Sequence, residues 1–308
     1  MRPLRIGSRG SMLARWQAEF VRKQLFQLTG VEAEITIIKT SGDKMEQAPL
    51  TQIGGKGIFI KELEEALLDE TVDLAVHSVK DIPTETPRRL FFPAVCRRDD
   101  VRDCLVSNDG TLLANLKQGA RMGTSSLRRQ AQLRHYRPDL DIRELRGNVD
   151  TRLRKVESGA YDAIVLSKAG LDRLGWSQRI TEPLSTEISL PAVGQGAIAI
   201  ESRVKDQEAA EILGKLDDAE SRTVIIAERA LLATLQGGCQ VPLGAWARVE
   251  RGELVMEAVV CSVDGVQYVR QKASAPPEQA VQLGEQMARL LIEGGASNIL
   301  EEVKRSRG

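Results

Sequence analysis

The stretch Leu74-Ala-Val-His-Ser-Val-Lys-Asp-Ile-Pro83 decides how the first third of this chain is read. Four residues, Leu74–His77, have the apolar character of a short strand buried on both faces, and a polar cluster follows at once and is closed by proline. A strand that ends in such a cluster projects Ser78, Lys80 and Asp81 from its carboxyl end, where open α/β sheets hold ligands. Working outward, Leu4–Gly7 reads as a strand and Ser11–Leu28 as a helix. Ala33–Thr40 alternates as a strand does, and Ile58–Leu68 has helical spacing. This β/α alternation predicts a mostly parallel sheet covered by helices.

A second set of alternations begins near Val101. Ser125–Tyr136 and Thr151–Ser158 read as helices, Asp141–Leu145 and Ala163–Leu166 as strands, and Ala169–Leu174 as a short helix. Pro191, Gly194 and Gly196 mark a turn-rich crossing, after which Ala197–Ser202 is predicted to return to the first sheet. A long helix, Ala219–Leu235, then leads through Gly237-Gly238 to alternating segments at Gly244–Val249, Leu254–Val260 and Gln267–Arg270. An amphipathic helix from Pro277 to about Ile292 follows. The predicted fold class is α/β, with two α/β domains and a C-terminal open-faced α+β domain. The expected boundaries are 1–96 plus 197–214, 101–190, and 219–308.

Composition narrows the chemistry. Of 308 residues, 43 are Lys or Arg and 43 are Asp or Glu, so no global field favours nucleic acid or an anionic membrane. The N-terminus lacks the apolar core of a signal peptide, and no apolar run approaches the ~20 residues that span a bilayer. Four cysteines without metal-type spacing and only two histidines, His77 and His135, argue against a metal centre or a Ser-His design. The chemistry then rests on carboxylates, guanidinium groups, lysines or a thiol.

Three segments can carry it. Cys239 follows Gly237-Gly238 after a helix, a loop position that suits covalent attachment, although a lone loop cysteine is also commonly inert. Asp81 beside Lys80 is a carboxylate able to move protons and stabilise a developing cation, and it equally fits a surface turn before Pro83. Thr124, Ser125 and Ser126 open a helix that continues with Arg128 and Arg129, a natural anion site; Arg143, Arg146, Arg152, Arg154 and Lys155 thicken the local positive field. The same residues are also consistent with a capped helix bearing a solvated cationic face. Arg9 and Ser11 flank another helix start, and Gly54-Gly-Lys56-Gly57 lacks phosphate-loop spacing.

Seven segments, RIGSRGSMLARWQ, GGKGIFIKELE, AVHSVKDIP, GTSSLRRQ, LRGNVDTRL, LPAVGQGA and AERALLATLQGGCQVPLG, in this order and spacing, resemble the porphobilinogen deaminase family along nearly the whole chain. The resemblance implies two domains like the halves of type II periplasmic binding proteins and a third, smaller domain. It implies a transferase of tetrapyrrole biosynthesis that condenses four porphobilinogen molecules, with loss of ammonia, and releases hydroxymethylbilane. It implies one covalent dipyrromethane cofactor per chain on Cys239, no metal, and Asp81 as the catalytic residue. Cofactor contacts are implied for Ser78, Lys80, Asp81, Thr124, Ser125, Ser126, Arg128, Arg129, Arg146 and Gly147. Substrate contacts are implied for Arg9, Ser11, Lys56, Arg152, Arg173 and Gln195. Where some members of the family carry a lysine, this chain has Gln52, which leaves Lys56 as the cation of that loop; the stretch Lys44–Lys61 is expected to cover the active site. A cytoplasmic monomer that binds neither nucleic acid nor membrane is expected. The alternative is a non-catalytic anion-binding protein of the periplasmic type, which leaves the QGGCQ loop and the third domain unexplained.

Overall fold

The computed structural model describes residues 2–41, 60–235 and 241–305. Its strands are β1 (Leu4–Ser8), β2 (Ala33–Ile37), β3 (Leu74–Ser78), β4 (Leu90–Val95), β5 (Asp103–Ser107), β6 (Arg121–Gly123) and β7 (Asp141–Arg143). They continue as β8 (Ala163–Ser167), β9 (Glu182–Pro183), β10 (Ile198–Arg203), β11 (Leu243–Glu250), β12 (Glu253–Cys261) and β13 (Tyr268–Ala275). The α-helices are α1 (Met12–Thr29), α2 (Lys61–Leu68), α3 (Leu127–Tyr136), α4 (Val149–Glu157) and α5 (Lys168–Arg173). After them come α6 (Gln207–Gly214), α7 (Ala219–Thr234), α8 (Ala280–Leu291) and α9 (Ser297–Arg305).

The chain divides into two compact units, 1–99 with 196–222 and 100–195 with 223–308. In the first, a five-stranded sheet runs β2-β1-β3-β10-β4. β1 pairs parallel with β2 and β3, and β10 enters antiparallel between β3 and β4. The returning strand therefore joins the first sheet, as its alternation predicts. Every residue of β10 is buried, as a strand flanked on both sides and covered on both faces must be. α1 starts at Ser11, whose Oγ accepts the Ala14 N–H at 3.3 Å, and stops at Gly30 in the left-handed region at φ +72°. It buries Gln17, Ala18, Val21 and Leu25, one stripe at helical spacing, against Leu74, Val76 and Ile200. α2 covers the other face with Leu63 and Leu67.

The second unit holds two sheets. One runs β7-β6-β8-β5-β9 and repeats the pattern of parallel strands interrupted by one antiparallel strand, here β5. The other is the antiparallel meander β11-β12-β13, covered by α8, which buries Leu283, Met287, Ala288 and Leu291. α8 lies so close to α7 that a Cβ on Gly284 would sit 2.3 Å from the Ala227 carbonyl oxygen, so only glycine fits. α3 docks onto the meander within this unit: His135 stacks on Tyr268 at 4.1 Å, and Arg134 donates to the Val263 carbonyl. The expected fold class, α/β sheets followed by a sheet-and-helix C-terminal part, is the one observed.

Candidate active site

In the first unit the candidate residues collect at the carboxyl ends of β1 and β3. A recess of about 60 Å³ is lined by Arg9, Ser11, Gln17, His77, Ser78 and Asp81, among others. The sequence builds it directly. β1 ends at the buried Ser8, whose Oγ donates to the Ala14 carbonyl, so the β1–α1 turn is held and Arg9 and Ser11 stay at its rim. β3 ends at Ser78, and a single 3₁₀ turn, Val79–Asp81, presents Lys80 and Asp81, both half-buried. Gln17, buried on α1, donates to Ser78 Oγ at 2.8 Å and orients that hydroxyl. The structure thus brings Arg9, Ser11, Ser78 and Asp81 together, as the spacing of strand ends anticipates.

A larger cavity of about 620 Å³ lies at the opposite end of these strands, by the amino ends of β1 and β3. There Arg2, Arg5 and Arg203 all bond the buried Asp73. Arg203 also pairs with Asp206, and Lys205 with Glu70, so the charged lining of this cavity is tied up in ion pairs. It is a structural network.

In the second unit the Thr-Ser-Ser segment links β6 to α3. Gly123 admits no side chain: a Cβ would lie 2.9 Å from both Ile164 Cγ2 and Tyr161 Cδ1. Gly123→Ala is expected to cost about 1–3 kcal/mol through overpacking, read as a lowered denaturant midpoint, and an unchanged midpoint would refute the tight fit. Thr124 is buried and its Oγ1 accepts the Ser126 N–H at 3.2 Å, while Ser125 exchanges hydrogen bonds with the Leu145 backbone. Arg146 bonds Glu144, and Arg152 Nε donates to the Gly147 carbonyl at 2.7 Å. Gly147 stands at φ +106°, which favours glycine. Both arginines remain half-buried.

Arg128 and Arg129 do not form a solvated face. Both are buried against Asp103 at the start of β5, with nitrogen–oxygen distances of 2.7 Å from each. Arg128 also donates to the Leu190 carbonyl and Arg129 to that of Val165. Ser189 Oγ and Gln195 Nε2 donate to the same carboxylate at 2.9 Å. Gln195, which the resemblance gives to substrate, is 1% exposed and also holds the Val101 carbonyl. Burial by itself would raise the Asp103 pKa, but the charges and hydrogen bonds of the two guanidinium groups outweigh it and hold the carboxyl well below the usual carboxylate range. Arg173 is buried as well. Asp103 and Ser189 escape the sequence reading, because nothing in the aspartate-rich run 99–103 marks which carboxylate turns inward. Cys239 and Lys56 lie outside the described residues, as does position 52 and most of Lys44–Lys61.

Among the described residues no helix is long and apolar enough to cross a membrane. Similar solved structures include the VFT2 domain of Bordetella pertussis BvgS (16% identity, TM-score 0.41, covering 69% of this chain and 85% of that one). A periplasmic substrate-binding protein of an ABC transporter from Coxiella burnetii is similar at 14% identity and TM-score 0.42, covering 69% of this chain and 91% of that one. Residues 4–211 match the family model "Porphobilinogen deaminase, dipyromethane cofactor binding domain", and residues 223–293 match "Porphobilinogen deaminase, C-terminal domain". The chain is 51% identical over 298 residues to the porphobilinogen deaminase of Syntrophotalea carbinolica, covering 96% of this chain and 95% of the relative. It is 47% identical over 306 residues to that of Syntrophobacter fumaroxidans, covering 99% of each. With both family models matched in order and full-length relatives at this identity, the chain belongs to the porphobilinogen deaminase family.

Proposed function

We propose that Asp81 is the catalytic carboxylate and Cys239 the covalent anchor of this chain's reaction, and that the enzyme acts as a cytoplasmic, monomeric transferase that binds no nucleic acid. The reaction itself is that of the family: stepwise condensation of four porphobilinogen molecules on a dipyrromethane primer, loss of ammonia, and release of hydroxymethylbilane. Family membership sets aside the non-catalytic anion-binding alternative. We also propose that the three sheets mark three domains, 1–96 with 197–214, 101–190 and 219–308, each sheet having its own buried face.

The observation that carries the catalytic reading is the position of Asp81 at the carboxyl end of β3, in a recess with Ser78, Ser11 and Arg9. Loss of ammonia from an aminomethylpyrrole leaves an electron-poor azafulvene cation. A carboxylate beside the pyrrole nitrogen stabilises that charge, and the same group accepts the proton that leaves the α-carbon after coupling. Arg9 and Lys80 are proposed to bind the acetate and propionate of the incoming pyrrole, with Ser11 and Ser78 donating hydrogen bonds.

The donor set of the second unit fits a polyanionic primer. Asp103 alone faces two guanidinium groups, and Arg128 Nε is buried without a hydrogen-bond partner among the described residues. An additional carboxylate would satisfy both the surplus charge and the orphaned N–H. The residues proposed to hold the primer are therefore Thr124, Ser125, Ser126, Arg128, Arg129, Arg146 and Gly147 in the second unit and, taken separately, Ser78, Lys80 and Asp81 in the first; Arg152, Arg173, Gln195 and Lys56 are proposed for the substrate. When bound, dipyrromethane supplies the nucleophilic pyrrole α-carbon on which the chain grows. No metal enters this reading.

The anchor is tested by intact mass. Purified protein is expected to carry the mass of two linked pyrrole units, and Cys239→Ala protein to carry none and to form no product. Wild-type protein that stays at its bare mass after incubation with porphobilinogen, or a Cys239→Ala protein that keeps the adduct, would overturn it.

A further inference from the structure

A glutamine in the buried stripe of an amphipathic helix calls for a reason. Gln17 shares the buried stripe of α1 with Ala18, Val21 and Leu25 and is only 3% exposed, at a place where an apolar side chain would pack without penalty. Its amide is only partly used. Nε2 donates to Ser78 Oγ at 2.8 Å, and none of the described residues donates to Oε1. Gln17 lines the recess at the carboxyl ends of β1 and β3, and its Oε1 is not among the polar atoms sealed in the interior. That oxygen is therefore an acceptor offered to the recess.

The other polar groups of the recess differ in what they have left to offer. Ser11 Oγ accepts the Ala14 N–H as the cap of α1, and His77 Nε2 lies 3.0 Å from Glu201 Oε2. Ser78 Oγ takes a proton from Gln17 and so keeps its own O–H to donate. Two acceptors remain with no donor among the described residues, the Asp81 carboxylate and Gln17 Oε1. Leu13, Leu63 and Val76 supply apolar lining. A volume of about 60 Å³ admits a few heavy atoms and is too small for a substituted pyrrole ring.

Such a recess selects a small group that donates and does not accept. An ammonium group has three N–H donors and no acceptor. Porphobilinogen carries one, on the methylene next to its ring nitrogen, whereas its acetate and propionate bring only acceptors. We propose that Gln17 is a specificity-determining residue whose Oε1 accepts a hydrogen bond from the aminomethyl nitrogen of the incoming porphobilinogen, while Asp81 stands beside the ring nitrogen. The recess then holds the leaving group. As the C–N bond breaks, its electron pair stays with nitrogen, the ammonium departs as neutral ammonia, and the positive charge passes to the methylene carbon and the ring. Gln17 remains neutral throughout, so it holds and selects the amine and leaves the charge to Asp81. The inference rests on this recess being the substrate site.

The test uses the pyrrole-loaded enzyme and its Gln17→Met and Gln17→Glu variants, side chains of similar length that a helix accepts. Each protein is assayed for kcat and KM with porphobilinogen, and for competitive inhibition by the same pyrrole diacid with methyl in place of aminomethyl. Any loss transmitted through Ser78 falls on both ligands alike, so the ratio of the inhibition constant to KM isolates the contact with nitrogen. A hydrogen bond to a charged group sets the scale: in Gln17→Met this ratio should fall about ten- to a hundredfold, with kcat moving far less than KM. Gln17→Glu keeps an acceptor oxygen and should hold the ratio at or above that of the wild type. Thermal unfolding shows that each variant is folded at the assay temperature. A Gln17→Met protein with the wild-type ratio would overturn the assignment, whether both constants rise together or neither moves. A Gln17→Glu protein whose ratio falls as far as that of Gln17→Met would overturn it as well. Loss of activity in Asp81→Asn beside an unmoved ratio in Gln17→Met removes this inference alone, whereas full activity in Asp81→Asn removes the reading of the recess on which it rests.

Discussion

Asp103→Ala protein is expected to lose about 3–5 kcal/mol of folding stability, enough to unfold much of the population at physiological temperature. The reason is the asymmetry of buried ion networks. Asp103 is fully buried, and it receives bonds from Arg128, Arg129, Ser189 and Gln195. Removing it leaves two guanidinium groups in a low-dielectric interior with no anion and leaves Ser189 and Gln195 short of an acceptor. The network joins β5, α3 and the segment 189–195, so its loss should lower the denaturant midpoint with little change in slope. Asp103→Asn keeps the shape but puts an amide N–H₂ against guanidinium donors, and it should lose most of the same stability. The pH dependence has a definite sign. The folded-state pKa is lowered, so this carboxylate stabilises the fold above its unfolded value of 3.8, and the contribution disappears as pH falls below that value. Wild-type protein should therefore show a steep acid limb that is shallower in Asp103→Asn. A fully stable Asp103→Ala protein would mean that the arginines find another anion, and the pre-organising role given to Asp103 would be wrong.

That network also marks where the sequence stops being legible. The elements carried by periodicity or by cap chemistry are readable: Ser11 opens α1, and the apolar run at 74–77 is β3. The return of β10 to the first sheet follows from alternation with no other sheet to join. β4 has no such signal, since Pro93 interrupts its pattern; the structure tolerates the proline because β4 is the edge of its sheet. β5 and the helices α6 and α9 are likewise too short or too weakly bounded to stand out. At the site, the cluster around Asp81 is legible because it is contiguous in sequence and falls at a strand end. The orientation of Arg128 and Arg129 is not, because their partner lies 25 and 26 residues away and arginine-rich helices ordinarily face water. For the same reason the pairing of His77 with Glu201, 124 residues apart, leaves no local trace.

Asp81→Asn protein should keep its fold and its pyrrole adduct yet lose about 10²–10³-fold in kcat, the range found when a single group that stabilises transition-state charge is removed. Asparagine has nearly the same volume, and Asp81 is only half-buried at the wall of its recess, so no buried charge is stranded by the change. What disappears is the negative charge beside the cation that forms as ammonia leaves, together with the acceptor for the proton released after coupling. Because the acetate and propionate of porphobilinogen are assigned to Arg9 and Lys80 and not to Asp81, KM should move far less than kcat, which is the signature of an interaction made mainly in the transition state. Asp81→Glu restores the charge but displaces it by one methylene, and a partial recovery is expected, well short of the original rate. The measurement is the rate of hydroxymethylbilane formation at saturating porphobilinogen, made beside intact mass to show that each variant carries its primer. Near-original kcat in Asp81→Asn, with the adduct present, would move the cation-stabilising role to another carboxylate. A loss confined to KM would make Asp81 a substrate-binding group and leave the chemical step without its proposed base.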